Sequence, residues 1–134
     1  MIILSNTTDQ QLLPGQAITF NTTVLHTRNC RLAHRDNSSG IRVRSNGIFE
    51  IQFSGNVDGA TAEDPASLVV TYGGTRLNET TMLSSATGFN NVATSTAIRE
   101  CGCCCNGEEI TVVNAGTNTI TIGANAKLFV KRIA

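Results

Sequence analysis

In the stretch IRVRSNGIFEIQFSGNV, residues 41–57, apolar and polar positions alternate. Phe49, Ile51, Phe53, Gly55 and Val57 fall on one face, and Glu50, Gln52, Ser54 and Asn56 on the other. A period of two is that of a strand with one face in a core. Between the two apolar runs stands Asn46-Gly47, a pair that tolerates positive φ at both positions. It predicts a two-residue hairpin joining Ile41–Arg44 to Ile48–Val57.

The rest of the chain reads the same way. Strands are expected at Ala17–Leu25 after Pro14-Gly15, at Ser67–Tyr72 before Gly73-Gly74, and at Thr75–Met82, a polar strand near an edge. Further strands are expected at Val92–Arg99, Glu109–Asn114, Thr119–Ala124 and Lys127–Ile133, with a turn at Ala115-Gly116-Thr117. The opening MIIL either pairs in a sheet or buries itself against a neighbouring subunit. Helical periodicity is absent, and Gly, Asn and Asp punctuate at short intervals. About eight strands at this spacing mean a β-sandwich or a small barrel. With 134 residues and no linker, repeat or low-complexity tail, the expectation is a single domain over residues 1–134.

Composition narrows the function. Ten Lys and Arg balance ten Asp and Glu, which argues against a nucleic-acid partner. Charged residues are only 15% of the chain, and the remaining polar surface is Asn, Thr, Ser and Gly, which suits an extracellular or virion setting. No run approaches the roughly 20 apolar residues of a membrane span. The start lacks a basic region and a long apolar run, so no signal peptide is expected. The sequons at Asn6, Asn21, Asn37 and Asn78 then reflect strand-and-turn composition rather than glycosylation.

On these segments the chain resembles a known class. IRVRSNGIFEIQFSGNV resembles the part of TNF/C1q-like jelly rolls in which a Gly-containing turn precedes a long core strand. TNTITIGANAKLFVKRIA resembles the closing strand of that class, and is similar to the C-terminal domains of exosporium collagen-like glycoproteins of spore-forming bacteria. From NTTDQQLLPGQAITFNTTVLHT to the last residue, the chain is similar to small proteins encoded by Firmicutes and their phages. The resemblance implies an all-β jelly-roll sandwich of about eight to ten antiparallel strands that is homotrimeric and used for display and attachment. The chain departs from the exosporium proteins in having no collagen-like stalk and no anchoring domain.

Four of the five cysteines, Cys101, Cys103, Cys104 and Cys105, crowd into RECGCCCNGEEI; the fifth is Cys30. Counting strands as in a jelly roll, the loop with His26, Cys30 and His34 emerges at the same end as the loop with the cysteine cluster. Three readings stay open. Cys30 can bridge to one member of the cluster, leaving an odd thiol. Cys101, Cys103 and Cys105 with Cys30 or His34 can form a zinc site, although the spacing is not the usual one. Or the thiols are small apolar residues that stay reduced. The densest basic segment, HTRNCRLAHR, makes Arg28, Arg31 and Arg35 candidates for an acidic partner such as a capsid surface or a wall polymer. Asp58, Glu63 and Asp64 lack the spacing of a calcium loop.

No nucleophile motif or phosphate-cradling glycine loop occurs, so no enzyme and no resident cofactor is expected beyond the zinc alternative. There is no Trp and one Tyr, which makes a single subunit a poor lectin. Phe20, Phe49, Phe53, Phe89 and Phe129 are assigned to core or subunit packing. The expected function is that of a phage virion structural protein, a head decoration or fibre tip, made in the host cytoplasm and contacting other virion or capsid proteins. The alternative is a host- or glycan-attachment module on a phage tail or a bacterial or spore surface.

Overall fold

A computed structural model describes residues 1–27, 32–35, 37–59, 61, 63–100 and 108–134. In chain order the strands are β1 (Ile2–Ser5), β2 (Gln10–Leu12), β3 (Thr22–His26), β4 (Leu32–Ala33), β5 (Gly40–Val43), β6 (Gly47–Asp58) and β7 (Ala66–Tyr72). They continue as β8 (Thr75–Arg76), β9 (Met82–Ser84), β10 (Asn90–Glu100), β11 (Glu108–Asn114), β12 (Ile120–Ile122) and β13 (Lys127–Arg132). One 3-10 turn, Asn78–Thr80, is the only helical element among the described residues.

The strands form two antiparallel sheets. The first runs β2-β12-β6-β13-β1-β3, with β10 along the other side of β6; the second runs β4-β5-β11-β7-β8, with β9 also on β7. The alternation in β6 does what its pattern requires. Phe49, Ile51, Phe53 and Val57 are buried, while Gln52 and Asn56 are exposed. Leu128 and Val130 of β13, Leu68 and Val70 of β7, and Ile110 and Val112 of β11 meet them in one core between the sheets. Each such side chain contributes about 1.5–3 kcal/mol on burial.

The expected hairpin at Asn46-Gly47 does not form. β5 belongs to the second sheet and β6 to the first, so the turn carries the chain across the sandwich. A type I′ hairpin needs positive φ at both central residues. Here Gly47 has φ 150°, whereas Asn46 is not among the residues with positive φ. Glycine is required at 47 for a different reason. A Cβ there would lie 2.5 Å from Arg132 Nε and 2.8 Å from the Ala134 carbonyl oxygen. The C-terminal segment is laid against this spot, with Ile133 N donating to Ile48 O at 2.8 Å and Ile48 N to Ala134 O at 3.1 Å.

Two expected strands are interrupted. Ala17–Leu25 is not one strand. Ile18 N donates to Val112 O of the second sheet at 2.8 Å, but Thr22–His26 pairs with β1 of the first. The chain changes sheets at Asn21, whose side chain accepts from Thr7 N and donates to Thr7 Oγ1. Thr75–Met82 is broken by the 3-10 turn, because buried Thr80 turns inward to accept from Val70 N and donate to Leu77 O. Both remnants pair only with β7, so the edge position holds.

Candidate functional site

The face of the first sheet that points away from the core carries a row of neighbours across five strands. Leu25 lies opposite Ile3, Ile3 opposite Phe129, Phe129 opposite Gln52, and Gln52 opposite Ser95. Period-two geometry puts all five on one side. Ile3 and Phe129 are only partly covered, Leu25 is 42% exposed, and Phe129 and Ile3 line a shallow recess of about 600 Å³. Toward β10 the face is made of small residues, Ala93, Ser95 and Ala97, all exposed. The adjacent row sets Lys131 opposite Glu50 and Glu50 opposite Ala97. Near Lys131, the Met1 amino group donates to Thr27 Oγ1 at 2.7 Å; partial burial, then the Lys131 charge, lower its pKa.

β10 pairs with β6 along its whole length and with no other strand among the described residues. It therefore presents a long sheet edge of backbone donors and acceptors. Monomeric proteins normally blunt or cover such edges.

The strand ends settle where the cysteine-bearing loops attach. β3 runs antiparallel to β1, with His26 opposite Ile2, and so leaves the sheet toward the end occupied by Gly47. Glu100 pairs with Gly47, and Leu32 and Glu108 both pair with Val43. Residues 28–31 and 101–107 thus both depart from and return to the same end of the sandwich. Arg28, Cys30, Arg31, Cys101, Cys103, Cys104 and Cys105 themselves lie outside the described residues.

His34 and Arg35 sit elsewhere, on the outer face of the second sheet. The His34 ring is held by backbone: Nδ1 lies 2.9 Å from Gly40 O and Nε2 3.2 Å from Phe20 O, with Ser38 Oγ 3.3 Å from Nδ1. Both nitrogens are engaged with the protein, which anchors the ring. Among the described residues, no group of three or more His, Cys, Asp or Glu side chains gathers as a metal site, Asp58, Glu63 and Asp64 included.

Beside His34 opens a recess of about 370 Å³ lined by Arg35, Arg42, Arg44 and Glu109. Arg42 approaches Glu109 at 4.0 Å, with both side chains about 40% exposed, a weak pair in solvent. Gly40 makes the pair possible, because a Cβ there would collide with the Glu109 side chain. Sequence reasoning singled out Arg35 but not Arg42 or Arg44. The signal was present in IRVR, where buried Ile41 and Val43 force both arginines to the opposite face.

Known proteins were compared once this geometry was in hand. No protein-family model matches the chain, and no curated protein matches it. Solved structures do. Eiger TNF from S. frugiperda superposes with a TM-score of 0.74 at 10% identity, covering 99% of this chain and 91% of the other. The globular domain of zebrafish complement 1qA gives 0.65 at 10% identity, covering 96% and 94%. The PRD1 vertex protein P5 gives 0.52 at 16% identity, covering 99% and 97%. At these identities the likeness establishes the fold, which is the TNF/C1q-like jelly roll. The three are described as a TNF, a complement component and a vertex protein, none of them as an enzyme. Among the described residues no helix is long and apolar enough to cross a membrane.

Proposed function

We propose that this chain, as a single jelly-roll domain over residues 1–134, assembles into a homotrimer that serves as a structural protein of a phage-type virion. It would act as a head decoration or fibre tip, by packing and surface binding without turnover. The observation that carries the reading is the outer face of the first sheet. An apolar row at Leu25, Ile3 and Phe129 stands beside a flat patch of Ala93, Ser95 and Ala97 on an uncovered edge strand. The two halves are complementary in shape: large side chains at one side, small ones at the other. A heterologous contact between them closes into a ring when the rotation per subunit is a third of a turn. Three copies would also raise apparent affinity for a repetitive target.

The fold likeness to a phage vertex protein supports the virion setting, with the protein made in the host cytoplasm and carried out with the particle. A Firmicutes phage or prophage origin, and kinship with exosporium glycoprotein domains, remain part of this proposal. The cysteine-bearing loops would fasten the end of the sandwich they share. Light scattering on the purified protein tests the assembly: a mass of three chains is expected, and a monomer across the micromolar range overturns it. Immunogold labelling of particles from the source phage tests the virion assignment.

A second reading, attachment to a host or bacterial surface polymer, is favoured by one observation, the arginine-lined recess on the second sheet.

A further inference from the structure

We infer that the recess between β4 and β5 binds an organic phosphate, with Arg35 and Arg44 as its charge-bearing walls and the His34 loop as its fixed rim. The inference concerns the attachment reading and is independent of the assembly proposed for the first sheet, since the recess lies on the other sheet.

Three guanidinium groups face one carboxylate around this space. Arg35 and Arg44 are exposed and form no ion pair among the described residues. Opposed guanidinium forks suit a tetrahedral oxyanion, which accepts from several directions at once. Glu109 does not cancel this charge: it reaches only Arg42, on the side away from Arg35 and Arg44, where Glu108 and Gly73 line the neighbouring hollow. The rim is pre-ordered. His34 is held by Gly40 O and Phe20 O, Ser38 N donates to Arg35 O at 2.9 Å, and Phe20 N donates to Ser38 O at 3.0 Å. A held rim keeps down the ordering cost of binding.

Size and lining choose the ligand. A volume of about 370 Å³ is within the range of small-molecule sites and exceeds what a bare phosphate fills. No Phe, Tyr or Trp lines the recess, so a nucleobase finds no stacking platform there. A phosphate carrying a small polyol fits both facts.

The test is a titration of the ¹⁵N-labelled full chain, followed through the amides of Ala33, Ser38 and Gly40. The probes are glycerol 3-phosphate, inorganic phosphate, a short glycerophosphodiester oligomer and a single-stranded DNA oligonucleotide. Saturable shifts with glycerol 3-phosphate or the oligomer are expected, weakened about tenfold or more in Arg35→Ala/Arg44→Ala. Both positions are exposed, and an unchanged melting temperature verifies that the variant is folded. Lys131→Ala, on the other sheet, should bind as the parent does. Tighter binding of the oligomer assigns the phosphate to a polymer, and tighter binding of the monoester to a free metabolite; either supports the site. The absence of shifts, equal binding by the double variant, inorganic phosphate matching both esters, or DNA binding more tightly than either ester would overturn it.

Discussion

Phe129 and Ile3 lie directly opposite each other on β13 and β1, on the side of the first sheet that faces away from the core. Neither contributes to the buried cluster, which is already filled by Leu128, Val130, Ile2 and Leu4 on the same two strands. Their apolar surface is therefore available to another chain. In Phe129→Glu, a charge enters the middle of the proposed subunit contact. The trimer is expected to dissociate, with at least tenfold weaker association by analytical ultracentrifugation, on the order of 1.4 kcal/mol or more. Circular dichroism of the variant should remain that of a β protein.

Ser95→Arg probes the opposite half of the same contact. Ser95 is exposed, and its neighbour across the ladder is Gln52, so the monomer accommodates the larger side chain. A close-packed interface does not, and the expected outcome is again a single-chain mass by light scattering. If the trimer survives both substitutions, this face is not its contact.

Gly47→Ala should destabilise the fold by about 1–3 kcal/mol, read by urea denaturation. Its new methyl would meet Arg132 and the Ala134 carbonyl, at a φ that side chains avoid. Gly88→Ala is the comparison. Gly88 also has positive φ, 81°, but nothing lies within 4 Å of its Cβ position. Its cost should be that of the backbone alone, about 1 kcal/mol. The difference between the two measures how tightly the C-terminal segment is docked.

Asn114 is fully buried, and its side chain ties three segments together. Nδ2 donates to Leu12 O at 3.1 Å and to Asn118 O at 2.8 Å, while Oδ1 accepts from Gly116 N at 2.9 Å. Asn114→Asp replaces the donor of two of these bonds with an oxygen facing two carbonyls. A loss of about 3 kcal/mol or more is expected in chemical denaturation, larger than for Asn114→Ala.

The cysteines supply a redox prediction. If Cys30 is bridged to the cluster at the shared end of the sandwich, thiol titration of the unfolded, unreduced protein finds fewer than five free thiols. A non-reduced peptide map then links the two loops, and Cys30→Ser lowers stability by about 2–4 kcal/mol. Stoichiometric zinc in protein purified without added metal supports the metal arrangement instead. Five free thiols and no zinc leave the inert one.

Much of this was legible from residue order, and the reasons are particular. The alternation from Phe49 to Val57 marks a strand and says which side is core, because side chains on a strand alternate with a period of two regardless of its neighbours. The same rule exposes Arg42 and Arg44 once Ile41 and Val43 are placed inside. Gly73-Gly74 turned the chain between β7 and β8 as expected, with positive φ of 60° and 81° at the two positions. The Asn46-Gly47 pair misled because the identical signal serves two purposes: a turn that needs positive φ, and a site where another segment comes too close for a Cβ. Only the position of Arg132 and Ala134, far along the chain, distinguishes them.

By itself, then, the order of residues determined the class of fold, the strands and their buried faces, since these follow from local periodicity and from the cost of leaving apolar groups in water. Tertiary structure alone decided which sheet each strand joins, that Ala17–Leu25 is shared between two, that the cysteine-bearing loops spring from one end, and that His34 belongs with three arginines rather than with the thiols. Those outcomes depend on pairings between residues distant in the chain. A single sequence carries no record of such pairings, because the same alternating strand satisfies its hydrogen bonds equally well in either sheet.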